Sequence, residues 1–236
     1  MEIKDKFSEV ERTRIVQAAK RSLWGSEGKQ ALDYLLNVRG FTKETVKKFE
    51  MGYCPLNINH QLRGRLITPI YDEYKKLIAV STRHLDKNNS HRFWHEAFNK
   101  SSYLYGLCYS KNEIIRKNKV ILVEGEFDVA SLHSNNYTMT VGVCGSALSL
   151  LQIAILAKYC SDFYLLFDGD EAGRRATKRA LDMYKQYNLS SYLISFFSVS
   201  LPVNKDPNDF ILEKGSKALM KLLVASKEDN EMLKMR

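Results

Sequence analysis

The 236-residue sequence predicts an α/β chain, α+β overall, in which a basic mixed α+β half precedes a parallel-sheet half. Three observations carry this reading. From Lys119 onward short apolar runs alternate with helical segments, the order a parallel sheet requires. Residues 62 to 107 alternate apolar and polar segments broken by turn signals, as antiparallel strands do. The first fifty residues carry helical spacing and a helix cap.

Phe7 to Lys20 and Gly28 to Val38 read as helices, and Thr42 to Phe49 as a third, with the Thr42 hydroxyl placed to accept an otherwise orphaned N–H. Asp72-Glu73 and Lys87-Asn88-Asn89-Ser90 are the turns of the antiparallel region. Ser110 to Asn118 is polar and lysine-rich and reads as the boundary between the halves. Beyond it, Lys119 to Val123, Thr138 to Val143, Asp162 to Phe167 and Ser191 to Phe196 read as strands, rich in β-branched or aromatic residues and without helical period. Phe127 to Ser134, Ser149 to Tyr159 and Glu171 to Tyr187 read as the helices between them. The expected domains are a basic α+β subdomain at 1–112, a parallel-sheet domain at 113–200 and a short helical segment at 201–236.

Two acidic elements follow strand-like runs: Glu124-Gly125-Glu126-Phe127-Asp128 and Asp168-Gly169-Asp170-Glu171-Ala172-Gly173. In one parallel sheet, Glu124, Asp168 and Asp170 would emerge together at the carboxyl edge, where α/β proteins place their chemistry. Carboxylates gathered there repel one another unless hard cations neutralise them, and magnesium is suited to such oxygen ligands. A plainer reading of Asp168-Gly169-Asp170 is a turn followed by a helix cap. The second strand-end acid, Glu124, is what favours a site.

A 44% hydrophobic content with 11% aromatics can build a sizeable core, so the chain is not a disordered one. No apolar run approaches the roughly 20 residues needed to cross a bilayer, and the charged N-terminus lacks a signal-peptide core, so no membrane partner and a cytoplasmic location are expected. The four cysteines, Cys54, Cys108, Cys144 and Cys160, stand too far apart for a disulfide framework or a Cys-x-x-Cys zinc site.

The net charge is +9, and residues 1 to 110 hold 19 Lys and Arg against 12 Asp and Glu. A cationic surface beside an acidic cluster suits a polyanion drawn to bound metals. Within this half His84, His91, Arg92, Phe93, Trp94 and His95 form a basic and aromatic cluster. His91 and His95 have helical spacing but lie in no recognised zinc pattern, so no zinc is expected. Stacking of bases on Phe93 or Trp94 beside Arg92, and packing of Trp94 in the core, are both open.

The acidic pair resembles the Toprim domain, and the chain is similar to the bacterial-type, DnaG-like primase branch of that family. Val123 through Leu132 resembles its Val-Glu-Gly-x-x-Asp-x-x-x-Leu, Gly169 through Ala176 its Gly-Asp-x-Ala-Gly-x-x-Ala, and Gly145-Ser146-Ala147-Leu148 its glycine-hydroxyl-small turn. Asn99-Lys100 before Leu104-Tyr105-Gly106-Leu107 resembles the lysine preceding a Tyr-Gly-Leu element, and Lys205-Asp206-Pro207-Asn208-Asp209 a later acidic turn. More loosely, Arg39-Gly40-Phe41, Arg65 to Ile70 and Ser81-Thr82-Arg83 resemble segments of the catalytic core.

The resemblance implies synthesis of short RNA primers on single-stranded DNA from ribonucleoside triphosphates by two-metal nucleotidyl transfer with Mg2+ or Mn2+. One metal would activate the 3′-hydroxyl and the other would stabilise the departing pyrophosphate. It assigns Glu124, Asp168 and Asp170 to the metals, Asp128 and Asp206 to an acidic rim, and Arg65, Arg83, Arg92 and Lys100 to nucleotide or nucleic acid. Where the late turn of the family often reads Asp-x-Asp, this chain has Asn208 or Asp209 in place of the second acid. Longer members carry a zinc ribbon and C-terminal domains that this sequence lacks, so a separate zinc-binding initiation factor or replicative helicase is an expected partner, and a phage or mobile element an expected source. A Toprim nuclease and a non-catalytic replisome adaptor are the rival readings.

Overall fold

The computed structural model describes residues 7–56, 60–86, 88–89, 91–145 and 147–234. Lys87 and Ser90 of the expected turn, and Ser146, lie outside the described residues. The chain divides into two compact units, Met1–Asn99 and Lys100–Arg236. No described helix is long and apolar enough to cross a membrane.

In the first unit, helix α1 (Glu9–Leu23) starts with a capping box: the Ser8 hydroxyl accepts from Glu11 N–H, and the Glu11 carboxylate accepts from Ser8 N–H. Arg12, Val16, Ala19 and Leu23 recur at helical spacing and form its buried face. That face packs on an antiparallel sheet of β1 (Gly52–Cys54), β2 (Arg65–Tyr71), β3 (Leu77–His84) and β4 (Phe93–His95), in that order. Phe7, Val16, Ala19, Leu62, Ile67 and Val80 are the centre of this core. The buried Arg12 guanidinium pairs with Glu96 at 2.7 Å, and Glu96 also accepts the N–H groups of Phe7 and Val80, so a charged group is buried with its hydrogen bonds satisfied. The helix expected over 28–38 is divided into α2 (Lys29–Asp33) and a π-helical turn at Tyr34–Val38. Helix α3 (Lys43–Lys48) is capped by Thr42, as its sequence predicts.

In the second unit, the polar stretch expected as a boundary, Ser110 to Asn118, falls almost wholly within a helix. Leu107–Lys117 forms helix α4, which buries Leu107, Ser110 and Ile114 and packs on the sheet; the compact units meet at Asn99 and Lys100, ahead of it. Four parallel strands follow, β5 (Lys119–Val123), β6 (Thr140–Gly142), β7 (Asp162–Leu165) and β8 (Ser195–Ser198), in the spatial order β6-β5-β7-β8. Helices α5 (Glu126–Ser134), α6 (Leu150–Leu156) and α7 (Glu171–Gln186) connect them. Helix α8 (Pro207–Lys214) packs on α5, and α9 (Ser216–Lys234) on β8 and α8.

This strand order fixes where chemistry can occur. From β5 the chain moves outward to β6, whereas from β7 it moves in the opposite direction to β8. Right-handed crossovers then send the two connections to opposite faces, and a crevice opens beyond the carboxyl ends of β5 and β7.

Candidate active site

Glu124 and Asp168 stand at that crevice. Glu124 directly follows β5, and the β5–β7 ladder continues past Leu165, with Leu166 N–H donating to Leu122 carbonyl at 2.9 Å. Two residues later Asp168 N–H donates to Glu124 Oε1 at 3.2 Å. The two strand-end acids are therefore neighbours in space, although 44 residues separate them in the chain.

The other acids are held by helix termini. Asp170 caps α7, its Oδ1 accepting from Gly173 N–H at 2.8 Å, and Asp206 caps α8, its Oδ1 accepting from Asp209 N–H at 2.6 Å with Pro207 at the first helical position. Cap and site are thus combined in one residue type, each cap leaving a second carboxylate oxygen. The loop of Asp168 is tied to the late turn by two backbone bonds, Gly169 N–H to Lys205 carbonyl at 2.8 Å and Asn204 N–H to Gly169 carbonyl at 3.0 Å. Arg174 Nη1 holds the same Gly169 carbonyl at 2.8 Å. Asp128, in the first turn of α5, is buried with its Oδ2 against Gly125, where a Cβ would stand only 3.0 Å away. The question left by the late turn has a packing answer: Asn208 is fully buried and donates to Ser131 Oγ at 2.7 Å, while Asp209 stays exposed.

Crowding of negative charge is visible in the proton affinities. Burial pushes the Asp168 carboxyl up to about 7, and the charges of Glu124, Asp206, Asp170 and Asp209 add to the rise. Burial also raises Glu124, with Asp170 adding to it, against the opposing Asp168 N–H and the positive charge of Arg179. The sequence singles out Asp209 only as an alternative for the second acid of the late turn and gives no sign of Arg179, because the influence of both depends on through-space proximity. Asp168 Oδ1 is buried without a hydrogen-bond partner among the described residues. A buried, unpartnered carboxylate oxygen among other carboxylates fits a hard divalent cation. Among the described residues no three His, Cys, Asp or Glu side chains make a ready-formed cage. The fit is to an open site, of the kind magnesium uses when it keeps waters and takes phosphate oxygens.

Lys100 lies at the same edge of the sheet. It opens a 3-10 turn, Lys100–Ser102, and its Cδ is 3.9 Å from where a Cβ on Gly145 would stand, just past the carboxyl end of β6.

The three candidate arginines belong to the first unit. Arg65 is buried on β2, and its guanidinium donates to the His91 carbonyl at 2.6 Å, the Arg92 carbonyl at 3.3 Å and Thr82 Oγ1 at 3.4 Å. These bonds brace the segment entering β4. Arg83 and Arg92 lie over the ring of Phe93 at 5.1 and 5.4 Å, and Phe93 is 57% exposed. Trp94 points the other way and meets Phe7 edge-on at 5.9 Å beside the core. Of the two aromatics left open by the sequence, Phe93 is the one available to a base. His91 lies in a turn and His95 on β4, so their spacing does not place them on one helical face.

Residues 121–211 match the Toprim-like family, a stretch running from β5 into α8 that contains Glu124, Asp168, Asp170 and Asp206. The chain is 29% identical over 246 residues to the DNA primase of Borreliella burgdorferi, an alignment covering 89% of this chain and 46% of that protein. The chain resembles bacterial DNA primases along most of its own length. Its fold is that of the primase catalytic core. The crystal structure of the Aquifex aeolicus primase zinc-binding and RNA polymerase domains matches with a TM-score of 0.77 and 26% identity, over 95% of this chain and 63% of that one. A DnaG primase catalytic domain bound to single-stranded DNA matches in fold with a TM-score of 0.81 and 21% identity, over 92% and 78%. The chain spans less than half the length of the DNA primases it matches first.

Proposed function

We propose that this chain catalyses primase-type nucleotidyl transfer, joining ribonucleotides into short RNA on a single-stranded DNA template with Mg2+ or Mn2+. The observation that carries the reading is the meeting of Glu124 and Asp168 at the switch point of the parallel sheet. The similarity to named primases supports it, since it extends over 89% of the chain and so includes the basic first unit.

In this proposal Glu124, Asp168 and Asp170 hold the cations, and Asp128 and Asp206 complete the acidic rim. Bound divalent cations would supply activation of the 3′-hydroxyl and charge compensation of the pyrophosphate. The Asp168 N–H orients Glu124, and the α7 and α8 caps fix Asp170 and Asp206, so the carboxylates are set before substrate arrives. Lys100 brings fixed positive charge to the triphosphate. Arg83 and Arg92, both close to exposed Phe93, meet phosphates of the template while the ring stacks on a base. Arg65 contributes charge nearby and holds in place the segment that carries Arg92.

A Toprim nuclease would use the same acids to activate water. Incubation with labelled single-stranded DNA, ribonucleotides and Mg2+ or Mn2+ separates the two. New short RNA is expected; shortened DNA without RNA would overturn the proposal in favour of the nuclease.

A further inference from the structure

The turn presenting Lys100 has little regular structure to hold it. It is a single 3-10 turn between the first unit and α4, with one internal backbone bond, Tyr103 N–H to Lys100 carbonyl at 3.3 Å. What fastens it is a side chain from elsewhere. Gln152, on the first turn of α6, is completely buried. Its Nε2 donates to the carbonyls of Tyr103 at 2.7 Å, Val143 at 3.0 Å and Lys100 at 3.1 Å. Its Oε1 accepts from Ser149 N–H at 3.0 Å, and the Ser149 hydroxyl donates to the Ser101 carbonyl at 2.7 Å.

One capping box therefore serves two tasks. It starts α6, and its two side chains grip three carbonyls of the 100–103 segment together with the carbonyl of Val143 beyond β6. Val143 N–H is itself bonded to Val123 carbonyl at 3.0 Å, and Val123 precedes Glu124. The Lys100 turn is in this way registered, through one amide, to the strand ends that carry the acidic site. An amide is suited to this because its two N–H bonds, one of them shared between two carbonyls, and its oxygen acceptor together engage all four partners.

We infer that Gln152 is a positioning residue for nucleotide use, acting through Lys100. The inference rests on the proposed contact of Lys100 with the triphosphate. Gln152 is nowhere near solvent and touches no substrate; its effect is to hold the Lys100 backbone so that the ammonium stands over the site. Gln152→Met keeps length and shape but removes every hydrogen bond, whereas Gln152→His retains a ring N–H donor.

The experiment measures primer synthesis and equilibrium binding of a fluorescent ribonucleoside triphosphate with Mn2+, using the full chain and the variants Gln152→Met, Gln152→His, Lys100→Ala and Gln152→Met with Lys100→Ala. We expect Gln152→Met to raise the nucleotide KM by about tenfold with a smaller change in kcat, and Gln152→His to recover part of that loss. In the Lys100→Ala background Gln152→Met should add little, because both changes remove the same interaction. Independent, multiplying losses would mean that Gln152 acts structurally and would overturn the inference. An effect of Gln152→Met with none from Lys100→Ala would overturn the Lys100 reading itself. If Gln152→Met fails to fold, the same cycle is run with Ser149→Ala, which releases the Ser101 carbonyl, and with the same criterion of non-additivity.

Discussion

Asp168 N–H donates to Glu124 Oε1 across 3.2 Å, so the backbone leaving one strand orients the carboxylate leaving its neighbour. The bond uses only the main chain of Asp168, which leaves its carboxylate for a cation. Asp168→Asn should therefore preserve the fold and the Glu124 contact while reducing metal-dependent primer synthesis by about 100-fold or more, the scale on which loss of a preorganised charge is felt. Single-stranded DNA binding, measured in parallel by fluorescence anisotropy, should persist. Retained synthesis would remove Asp168 from the site.

The same residue sets a pH dependence. Its carboxyl, ordinarily at 3.8, is pushed up to about 7 in the folded chain by burial and then by neighbouring acids. Between about pH 4 and pH 7 the folded state keeps a proton that the unfolded chain has released, so this residue's contribution to stability declines as pH rises across that window. Without divalent cations, Asp168→Asn should melt above the wild type at pH 8, and the difference should narrow as pH falls and close near pH 4. Protons and cations compete for the carboxylate, so Mg2+ should raise the wild-type melting temperature more at pH 8 than at pH 6. An equal shift at both values would contradict a protonated Asp168.

Much of this was readable from the chain because the relevant signals are local. The runs at 119–123 and 162–165 are largely apolar without helical period, an acid follows each, Glu124 at once and Asp168 three residues on, and Thr42, Asp170 and Asp206 stand where helix caps belong. Helix α4 was missed because its buried stripe of Leu107, Ser110 and Ile114 is narrow, and Lys111, Asn112, Glu113, Arg116 and Lys117 dominate its composition. The last strand lies at Ser195–Ser198, later than the expected 191–196, because Asn188 and Leu193 adopt left-handed conformations around a 3-10 turn. The long-range roles of Gln152 and Asn208 have no local signal: each comes from partners distant in the chain, the 100–103 carbonyls and Ser131.

Phe93 offers a separate test in the first unit. Its ring is exposed with two guanidinium groups close to it, an arrangement that costs apolar exposure and adds nothing to the core, whereas neighbouring Trp94 is packed against Phe7. Stacking on one base contributes about 1–3 kcal/mol. Phe93→Ala should thus weaken single-stranded DNA binding by about tenfold, leave the melting temperature unchanged, and spare nucleotide binding. Titration with a labelled oligodeoxynucleotide checks this, and unchanged affinity would leave Phe93 without the proposed role.

Gly169 tests the architecture that holds the acids together. A Cβ there would lie 2.1 Å from the Pro202 carbonyl oxygen and 3.2 Å from that of Lys205, and both obstacles are backbone. The loop cannot yield without breaking the Gly169–Lys205 and Asn204–Gly169 bonds that bring the α8 cap, Asp206, toward Asp168. Gly169→Ala should destabilise the chain by about 1–3 kcal/mol, as overpacking does, and lower activity further by separating Asp206 from Asp168. Gly145→Ala is the control: among the described residues a Cβ there meets only the flexible Lys100 Cδ, at 3.9 Å, so denaturant melts should match the wild type. Equal stability of the two alanine variants would mean that the late turn is not fastened to the Asp168 loop.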